Sequence, residues 1–230
     1  MKRSILILVC LTLLHTTAFT ESQDSNAEQI KEKAMQLCKL LKDPDQKVRG
    51  NAIHDLRMMA RCTNRMGGKR IQRGREFAPQ VEGLVPYLVS AASDEVEVNR
   101  ISALYALADT RDPLAVKELH NRLKDSSEKV RFFAACFLTE YQDASGLPEM
   151  RNALVHLRKN TYEDEFVYYN HAEMLLASFE RIIGKSFGEI PLNPLICSDT
   201  REISRIKERY NYLLETWEQW WSWEPKADEN

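Results

Sequence analysis

No apolar run in the sequence reaches the length of about 20 residues that a membrane-spanning helix needs. The main run, Ile5–Leu14, directly follows the basic pair Lys2-Arg3 and precedes small and polar residues. A basic start, a short apolar segment and a small residue before a cleavage point are typical of a secretory signal. We therefore expect residues 1–20 to be a signal peptide that is cleaved after Ala18 or Thr20. The mature chain is then exported, to the periplasm or the medium, without a stable membrane span.

An excess of one charge is also lacking, because 32 basic residues face 34 acidic ones and the net charge is −2. Binding to nucleic acid through the overall field of a protein needs a marked positive excess, so nucleic acid is not an expected partner. One segment departs from this balance, since residues 61–75 hold six basic residues and no acidic one. They are Arg61, Arg65, Lys69, Arg70, Arg73 and Arg75. We expect a flexible basic loop, within an insertion at 61–80, that is either simply solvated or captures an anionic polymer or acidic surface.

Motifs that carry catalytic chemistry are scarce. The sequence has no His-Glu-x-x-His, no Cys-x-x-Cys and no glycine-rich phosphate loop ending in Gly-Lys-Ser or Gly-Lys-Thr at the required spacing. These patterns place metal ligands or phosphate-binding amides at fixed distances. We therefore expect no catalytic residue, no metal site and no cofactor, in a chain that is not an enzyme.

Cysteine is infrequent as well. Beyond the signal the chain has Cys38, Cys62, Cys136 and Cys197, an even number that permits two disulfides in an exported protein. Cys38 and Cys136 lie in apolar helical patterns, where a lone cysteine often acts as a small buried hydrophobe. Both interpretations stay open.

An internal repeat is the strongest feature of the sequence. Asp43–Arg49 and Asp125–Arg131 have Asp, Lys, Val and Arg at the same places, and Asp94–Arg100 keeps the Asp-to-Arg spacing 31 residues before the last copy. Three and seven residues after each arginine stand Ala and Leu in all three copies: Ala52, Ala103, Ala134, Leu56, Leu107 and Leu138. A weaker fourth copy has Tyr169 at the arginine position. Each copy follows a second segment with helical periodicity, so the repeating unit is a helical hairpin.

The period, the Asp-to-Arg spacing and the Ala/Leu pattern resemble HEAT repeats, in particular the short kind found in phycobilin-lyase-like proteins. Val85-Pro86-Tyr87-Leu88 resembles the proline-bent first helix of such a unit. Gly184–Gly188 followed by Trp217–Trp221 is similar to the terminal element of exported bacterial HEAT repeat proteins of unknown function. The resemblance implies an α-solenoid of about four HEAT-like hairpins over residues 21–183, followed by a Trp-rich capping helix within 184–230.

The same resemblance includes two kinds of enzyme. Deoxyhypusine hydroxylases of the HEAT type hold iron with paired His-Glu dipeptides, and this chain has none. Phycobilin lyases act inside photosynthetic cells, which conflicts with an export signal. A lyase-like activity is therefore a remote alternative.

The repeated charged residues suggest structural bridges. In a stack of hairpins, Asp43, Asp94 and Asp125 are expected to pair with arginines of neighbouring units and to fix their rotation. A ladder of charges that binds a ligand is the weaker interpretation.

One face of the arginine-bearing helices is the expected partner site. If the repeated Ala and Leu face the core, the places one, two, five and nine residues after the arginine point away from it. The first copy has Gly50, Asn51, His54 and Met58 there, whereas the later copies gain apolar bulk. The expected protein-binding residues are Ile101, Tyr105, Phe132, Phe133, His171 and Met174. Either a protein partner covers them, or neighbouring units and the C-terminal segment do.

Overall fold

The protein is all-α, apart from one short two-stranded ribbon, in the residues that the structure, a computed structural model, describes. These are residue 29 and residues 31–60, 64–66, 69–71, 84–110, 112–159, 164–197 and 199–223. The expected signal peptide at 1–20 and Arg61, Cys62, Arg73 and Arg75 lie outside the described residues. Nine α-helices are described: α1 at 31–40, α2 at Gln46–Ala60, α3 at Leu84–Ala91, α4 at Glu97–Thr110, α5 at Pro113–Arg122, α6 at Glu128–Leu138, α7 at Leu147–Arg158, α8 at Glu165–Ile183 and α9 at Thr200–Trp223. Short 3-10 turns occupy Thr139–Tyr141 and Pro194–Ile196.

Polar side chains define where the middle helices begin. Asp112 accepts a hydrogen bond from the backbone N–H of Leu114 at 2.8 Å, and Pro113 occupies the first turn of α5. Ser127 likewise accepts from the N–H of Val130 at the start of α6. Both bonds satisfy backbone donors that have no partner within the helix.

The helices pack in pairs, and the second helices of the pairs form a row. Helix α3 packs against α4, α5 against α6 and α7 against α8. The second helices of the pairs form a continuous row in which α2 contacts α4, α4 contacts α6 and α6 contacts α8. Helix α6 lies in the middle of this row, and every residue from Phe132 to Thr139 is buried. The core is therefore continuous along the described chain.

Charged residues join successive pairs, as the repeat predicted. The Arg49 Nε atom lies 2.7 Å from Asp94, and the Arg100 Nη2 atom lies 2.9 Å from Asp125. Burial alone raises the pKa of the Asp94 carboxyl, but hydrogen bonds from Arg49 and from the backbone N–H of Val96 make the net shift downward. We call these two bridges the Arg–Asp ladder. The prediction is confirmed for Asp94 and Asp125, whereas the carboxylate of Asp43 accepts a hydrogen bond from the backbone N–H of Asp45 at 2.8 Å.

The ladder changes at the last pair, where the fourth copy has no aspartate at the matching place. Arg131 instead lies 3.2 Å from Glu149 on α7. Its Nη1 atom still donates to the carbonyl of Asp125 at 3.0 Å, just as the Nη1 atom of Arg100 donates to the carbonyl of Asp94. Each arginine thus ties its own helix to the preceding loop as well as to the next pair.

Helix α9 packs against α7 and α8. Tyr210, Leu213, Leu214 and Trp217 form its buried stripe. The ring of Trp217 lies 4.9 Å from that of Phe179 on α8, and the Tyr210 hydroxyl donates to the carbonyl of Pro191 at 2.7 Å. The Trp-rich helix that the sequence predicted here therefore buries the apolar side chains at its centre.

The basic segment is not simply a loop in its described residues. Strand β1, Asn64–Met66, pairs with strand β2, Lys69–Ile71, in an antiparallel two-stranded ribbon. Arg65 is the direct cross-strand partner of Arg70. The expectation of a flexible loop is therefore corrected for these residues, which form a short ribbon within the inserted segment.

Cys38, Cys136 and Cys197 are free thiols, and Cys38 and Cys136 are buried. Burial raises the pKa of the Cys136 thiol to about 12. The interpretation of these two residues as small core hydrophobes is confirmed. Among the described residues, no helix has the length and apolar character to cross a membrane.

Candidate functional site

The structure corrects the orientation expected for three of the predicted binding residues. Phe132, Phe133 and His171 are 4%, 8% and 6% exposed, so they do not point into solvent. The periodicity of one helix predicted the wrong surroundings for these residues. Helix α6 is flanked on both sides, by α4 and α8, as well as by its own partner α5. Places that face away from one neighbour therefore face another. Whether these residues contribute to binding stays a prediction.

These rings nevertheless form one group with two further rings, those of Tyr105 and Phe137. The ring of Tyr105 on α4 lies 5.3 Å from Phe133 and 4.7 Å from Phe137, both on α6. The ring of His171 on α8 lies 5.3 Å from Phe133 and 4.9 Å from Phe132. These centroid distances are typical of tilted and edge-to-face aromatic pairs. We call Tyr105, Phe132, Phe133, Phe137 and His171 the aromatic column, which connects α4, α6 and α8.

An arginine extends this column to α2. The guanidinium carbon of Arg57 lies 4.0 Å from the centre of the Tyr105 ring, within the range of a cation–π contact. The Nε atom of Arg57 also lies 3.6 Å from the carboxylate of Asp109. Helix α2 is therefore joined to α4 by a stacked cation as well as by the ladder. The sequence interpretation missed Arg57, although its place eight residues after the repeat arginine put it next to the predicted face.

The surface beside the column keeps apolar groups in partial contact with solvent. Ile101, Tyr105 and Met174 are half-buried and pack against the core. Met58 on α2 is 52% exposed. We call these four residues the exposed edge. The predicted residues are thus divided into buried ones and half-buried ones, and Met58 adds an exposed side chain on the neighbouring helix α2.

His171 is uncharged at neutral pH. Burial and, to a smaller extent, the positive charge of Lys129 together lower its pKa to about 4. A neutral imidazole packs against Phe132 and Phe133 without the cost of burying a charge. Its role in the column is therefore that of an aromatic ring with a polar edge.

The predicted anion-binding residues are only partly described. Arg65, Lys69 and Arg70 lie on the ribbon, whereas Arg61, Arg73 and Arg75 lie outside the described residues. Across the ribbon, Met66 pairs with Lys69 and Arg65 with Arg70. The backbone therefore gathers three basic residues within two short strands.

The sequence interpretation also overlooked one catalytic pattern. Gly184–Gly188 reads Gly-Lys-Ser-Phe-Gly and matches the Gly-x-Ser-x-Gly spacing of serine hydrolases. In that class the serine stands in a turn between a strand and a helix. Here Ser186 follows α8, and its hydroxyl donates to the Glu180 carboxylate at 2.6 Å. This context lacks the features that activate a serine nucleophile.

No cluster of three or more histidine, cysteine, aspartate or glutamate side chains is placed to hold a metal ion in the part of the chain that the structure describes. No protein-family model matches the chain, and no curated protein is significantly similar to it in sequence. The function is therefore inferred from the geometry of the protein itself.

Proposed function

We propose that the protein is an exported α-solenoid of four HEAT-like hairpins that binds another protein and catalyses no reaction. The aromatic column with its exposed edge carries this proposal. The edge presents methionine, isoleucine and tyrosine side chains on a support that α4, α6 and α8 build together. Rigidly supported apolar and aromatic groups provide most of the free energy of protein binding.

The pairwise packing and the Arg–Asp ladder support a solenoid. In repeat proteins each unit contacts mainly its neighbours, and a terminal unit needs a polar outer side. The places that hold Phe133 and Phe137 in the third unit hold Asn51 and Asp55 in the first, and both are exposed. The first unit therefore has the polar character of an end. At the other end, α9 covers α8 and serves as the cap.

Export is proposed on the sequence of residues 1–20 alone, where a basic pair precedes a short apolar run. An exported protein without a catalytic site fits the role of a scaffold or adaptor that holds a partner outside the cytoplasm. We propose no cofactor.

The test compares three forms of the chain as bait for proteins of the native exported fraction. The double variant Met58→Glu, Met174→Glu places charge on the exposed edge. Leu114→Glu is the matched control. Leu114 is 55% exposed on α5, a first helix of a pair, which does not belong to the row formed by α2, α4, α6 and α8. We expect proteins that the wild type and the control retain to be lost at least about tenfold from the double variant. Equal retention by all three forms would exclude the edge as the binding surface.

A second candidate function is binding of an anionic polymer by the basic ribbon. The backbone register of the ribbon favours it, because it brings Arg65, Lys69 and Arg70 into two short paired strands. A polyanion that binds such a group of basic residues releases its counterions. The ribbon interrupts the repeats between α2 and α3, so it can be changed without altering the ladder.

This candidate is tested with heparin as the polyanion probe. We expect retention on a heparin column that weakens with salt, and a triple variant Arg65→Gln, Lys69→Gln, Arg70→Gln that elutes at a clearly lower salt concentration. The control replaces Lys31, Lys33 and Lys39 by Gln. These residues are exposed on α1, so the control removes the same charge at another place in the protein. If both triple variants elute together, net charge rather than the ribbon explains the retention.

A further inference from the structure

Three aromatic rings form a corner between α9 and the segment that follows α8. Trp217 is fully buried. The rings of Phe187 and Trp220 lie 4.9 and 5.4 Å from it, and each is inclined at 83° to its plane. Phe187 and Trp220 therefore stand as two walls on the Trp217 ring. We call these three residues the aromatic corner.

The walls are held in place by their surroundings. Trp220 follows Trp217 by three residues on α9, so both project from the same side of the helix. Arg209 fixes the other wall, because its Nη2 atom donates to the carbonyl of Phe187 at 3.1 Å and its Nε atom to that of Glu189 at 3.3 Å. Gly188, at φ 115°, lets the chain pass close to this guanidinium. The corner is thus preorganised.

A cation already occupies the corner. The Lys185 ammonium lies 5.1 Å from the centre of the Phe187 ring and 5.4 Å from that of Trp220. Both distances fall within the roughly 6 Å range of cation–π attraction. Among the described residues, no carboxylate forms an ion pair with Lys185. Among the described groups, the two rings therefore provide the main attraction on this ammonium.

We propose that the aromatic corner is a binding site for a quaternary ammonium group, and that Lys185 is its resting occupant. The ammonium of lysine carries three N–H donors and is strongly hydrated. Ring faces satisfy these donors poorly. A trimethylammonium group has the same charge, no N–H to satisfy and a larger apolar surface, so it fits aromatic walls better.

The corner is also accessible. Phe187 and Trp220 are half-buried and Lys185 is exposed, so a ligand can approach from solvent. Lys185 has a long flexible side chain on a segment outside the helices, and it can leave without any change in the backbone. The site lies between α8 and α9, and it does not use the exposed edge or the basic ribbon.

The test uses the full chain and choline as the probe, with changes in tryptophan fluorescence or indole proton shifts as the readout. We expect saturable binding by the wild type. The variant Lys185→Ala should bind with a dissociation constant lower by about fivefold, because the competing cation is gone. The neutral isostere 3,3-dimethylbutanol should not compete with choline. If it competes equally, or if Lys185→Ala leaves choline binding unchanged or weaker, the proposal is wrong.

A ring variant and its control localise the site. Trp220→Leu keeps apolar bulk but removes one wall, and we expect choline binding to be lost. Tyr87→Leu changes a half-buried ring of α3, which does not belong to the corner, and should leave binding unchanged. If Trp220→Leu fails to fold, Phe187→Leu removes the other wall and answers the same question. Retained binding in a folded wall variant overturns the assignment.

Two sources of the ligand are distinguished in the same experiment. Vesicles of phosphatidylcholine present the headgroup on a surface, whereas choline chloride presents it free. Loss of binding in the wall variant for either probe supports the site and identifies the source. Vesicles of phosphatidylglycerol, which lack the trimethylammonium group, should not bind through the corner. No wall-dependent binding to either choline source overturns the proposal.

Discussion

Arg100 and Asp125 are joined across two helical pairs, with 2.9 Å between the guanidinium Nη2 and the carboxylate Oδ1. The Arg100 side chain is 12% exposed and that of Asp125 is 5% exposed. Burial alone raises the pKa of Asp125, but the backbone N–H of Ser127 and the Arg100 guanidinium make the net shift downward. The carboxylate is therefore ionised and bound to its partner at neutral pH.

Loss of Arg100 should destabilise the fold more than loss of a surface partner. Arg100→Ala leaves Asp125 with the Arg122 guanidinium, 3.4 Å away, as its remaining cation, so we expect the cost of a lost hydrogen bond to a charged group, about 1.5 to 3 kcal/mol. Arg158→Ala is the control, because Arg158 pairs with the half-exposed Glu218 and such pairs contribute about 0 to 1 kcal/mol. Urea unfolding followed by circular dichroism gives both values. Equal effects would show that the ladder contributes no more than a surface pair.

Truncation within the aromatic column should impair folding rather than binding. Phe133→Ala removes a ring that contacts Tyr105, Phe137 and His171, and we expect a loss of about 3 to 5 kcal/mol in the free energy of unfolding. Met58→Ala, at the exposed edge, should cost less than about 0.5 kcal/mol. A small effect of Phe133→Ala on denaturant unfolding would restore the outward orientation that the sequence suggested.

Acidification should weaken the fold through His171. Its pKa is about 4 in the folded protein, against 6.5 for an ordinary histidine. Between these values the unfolded chain binds a proton that the folded chain does not, so the free energy of unfolding falls as pH falls from about 6.5 to about 4. The loss is at most roughly 3 kcal/mol, and no dependence from this group is expected above pH 7.

The control for this effect is His171→Phe, which keeps a ring beside Phe132 and Phe133 and removes the titrating group. The difference in unfolding free energy between wild type and variant should change across this window and be constant above it. A constant difference throughout would mean that His171 becomes protonated without leaving its place.

Gly146 should tolerate no side chain. It precedes α7, and a Cβ atom there would stand 2.6 Å from the Cα atom of Ala135 on α6. Because the obstacle is backbone, Gly146→Ala must separate α7 from α6, at a cost on the order of 1 to 3 kcal/mol. Gly184→Ala has open space around it and only the strain of φ 73°, and is expected to cost about 1 kcal/mol. A thermal melt of the two variants gives the comparison.

The sequence predicted what depends on neighbours along the chain. Helical periodicity and the repeated Asp-to-Arg spacing correctly indicated the all-α class, and they also indicated the partners of Arg49 and Arg100. Both follow from local rules, because a repeat places equivalent residues at equivalent distances. The fourth copy has Glu163 at the place of the aspartate, which was visible in the sequence, whereas the pairing of Arg131 with Glu149 on α7 was not.

The candidate site was predicted less well, since its geometry depends on how closely the helices approach one another. A helical wheel gives the direction of Phe132 and Phe133 relative to their own helix. It does not show that α8 brings His171 within 4.9 Å of Phe132. The contact of Arg57 with Tyr105 is of the same kind. Such contacts arise from distances between elements, and no periodicity in the sequence encodes those distances.

The direction of the Arg–Asp ladder bears on how a chain of this kind can change its length by recombination. Each bridge takes its cation from one hairpin and its anion from the next. A crossover between the equivalent segments around Asp94 and Asp125 deletes one interior hairpin and leaves Arg49 opposite Asp125, so the new junction is still matched in charge. The last junction differs, because Arg131 uses Glu149 and Tyr169 supplies no cation to a further unit. Interior hairpins are therefore exchangeable, while the C-terminal end is fixed.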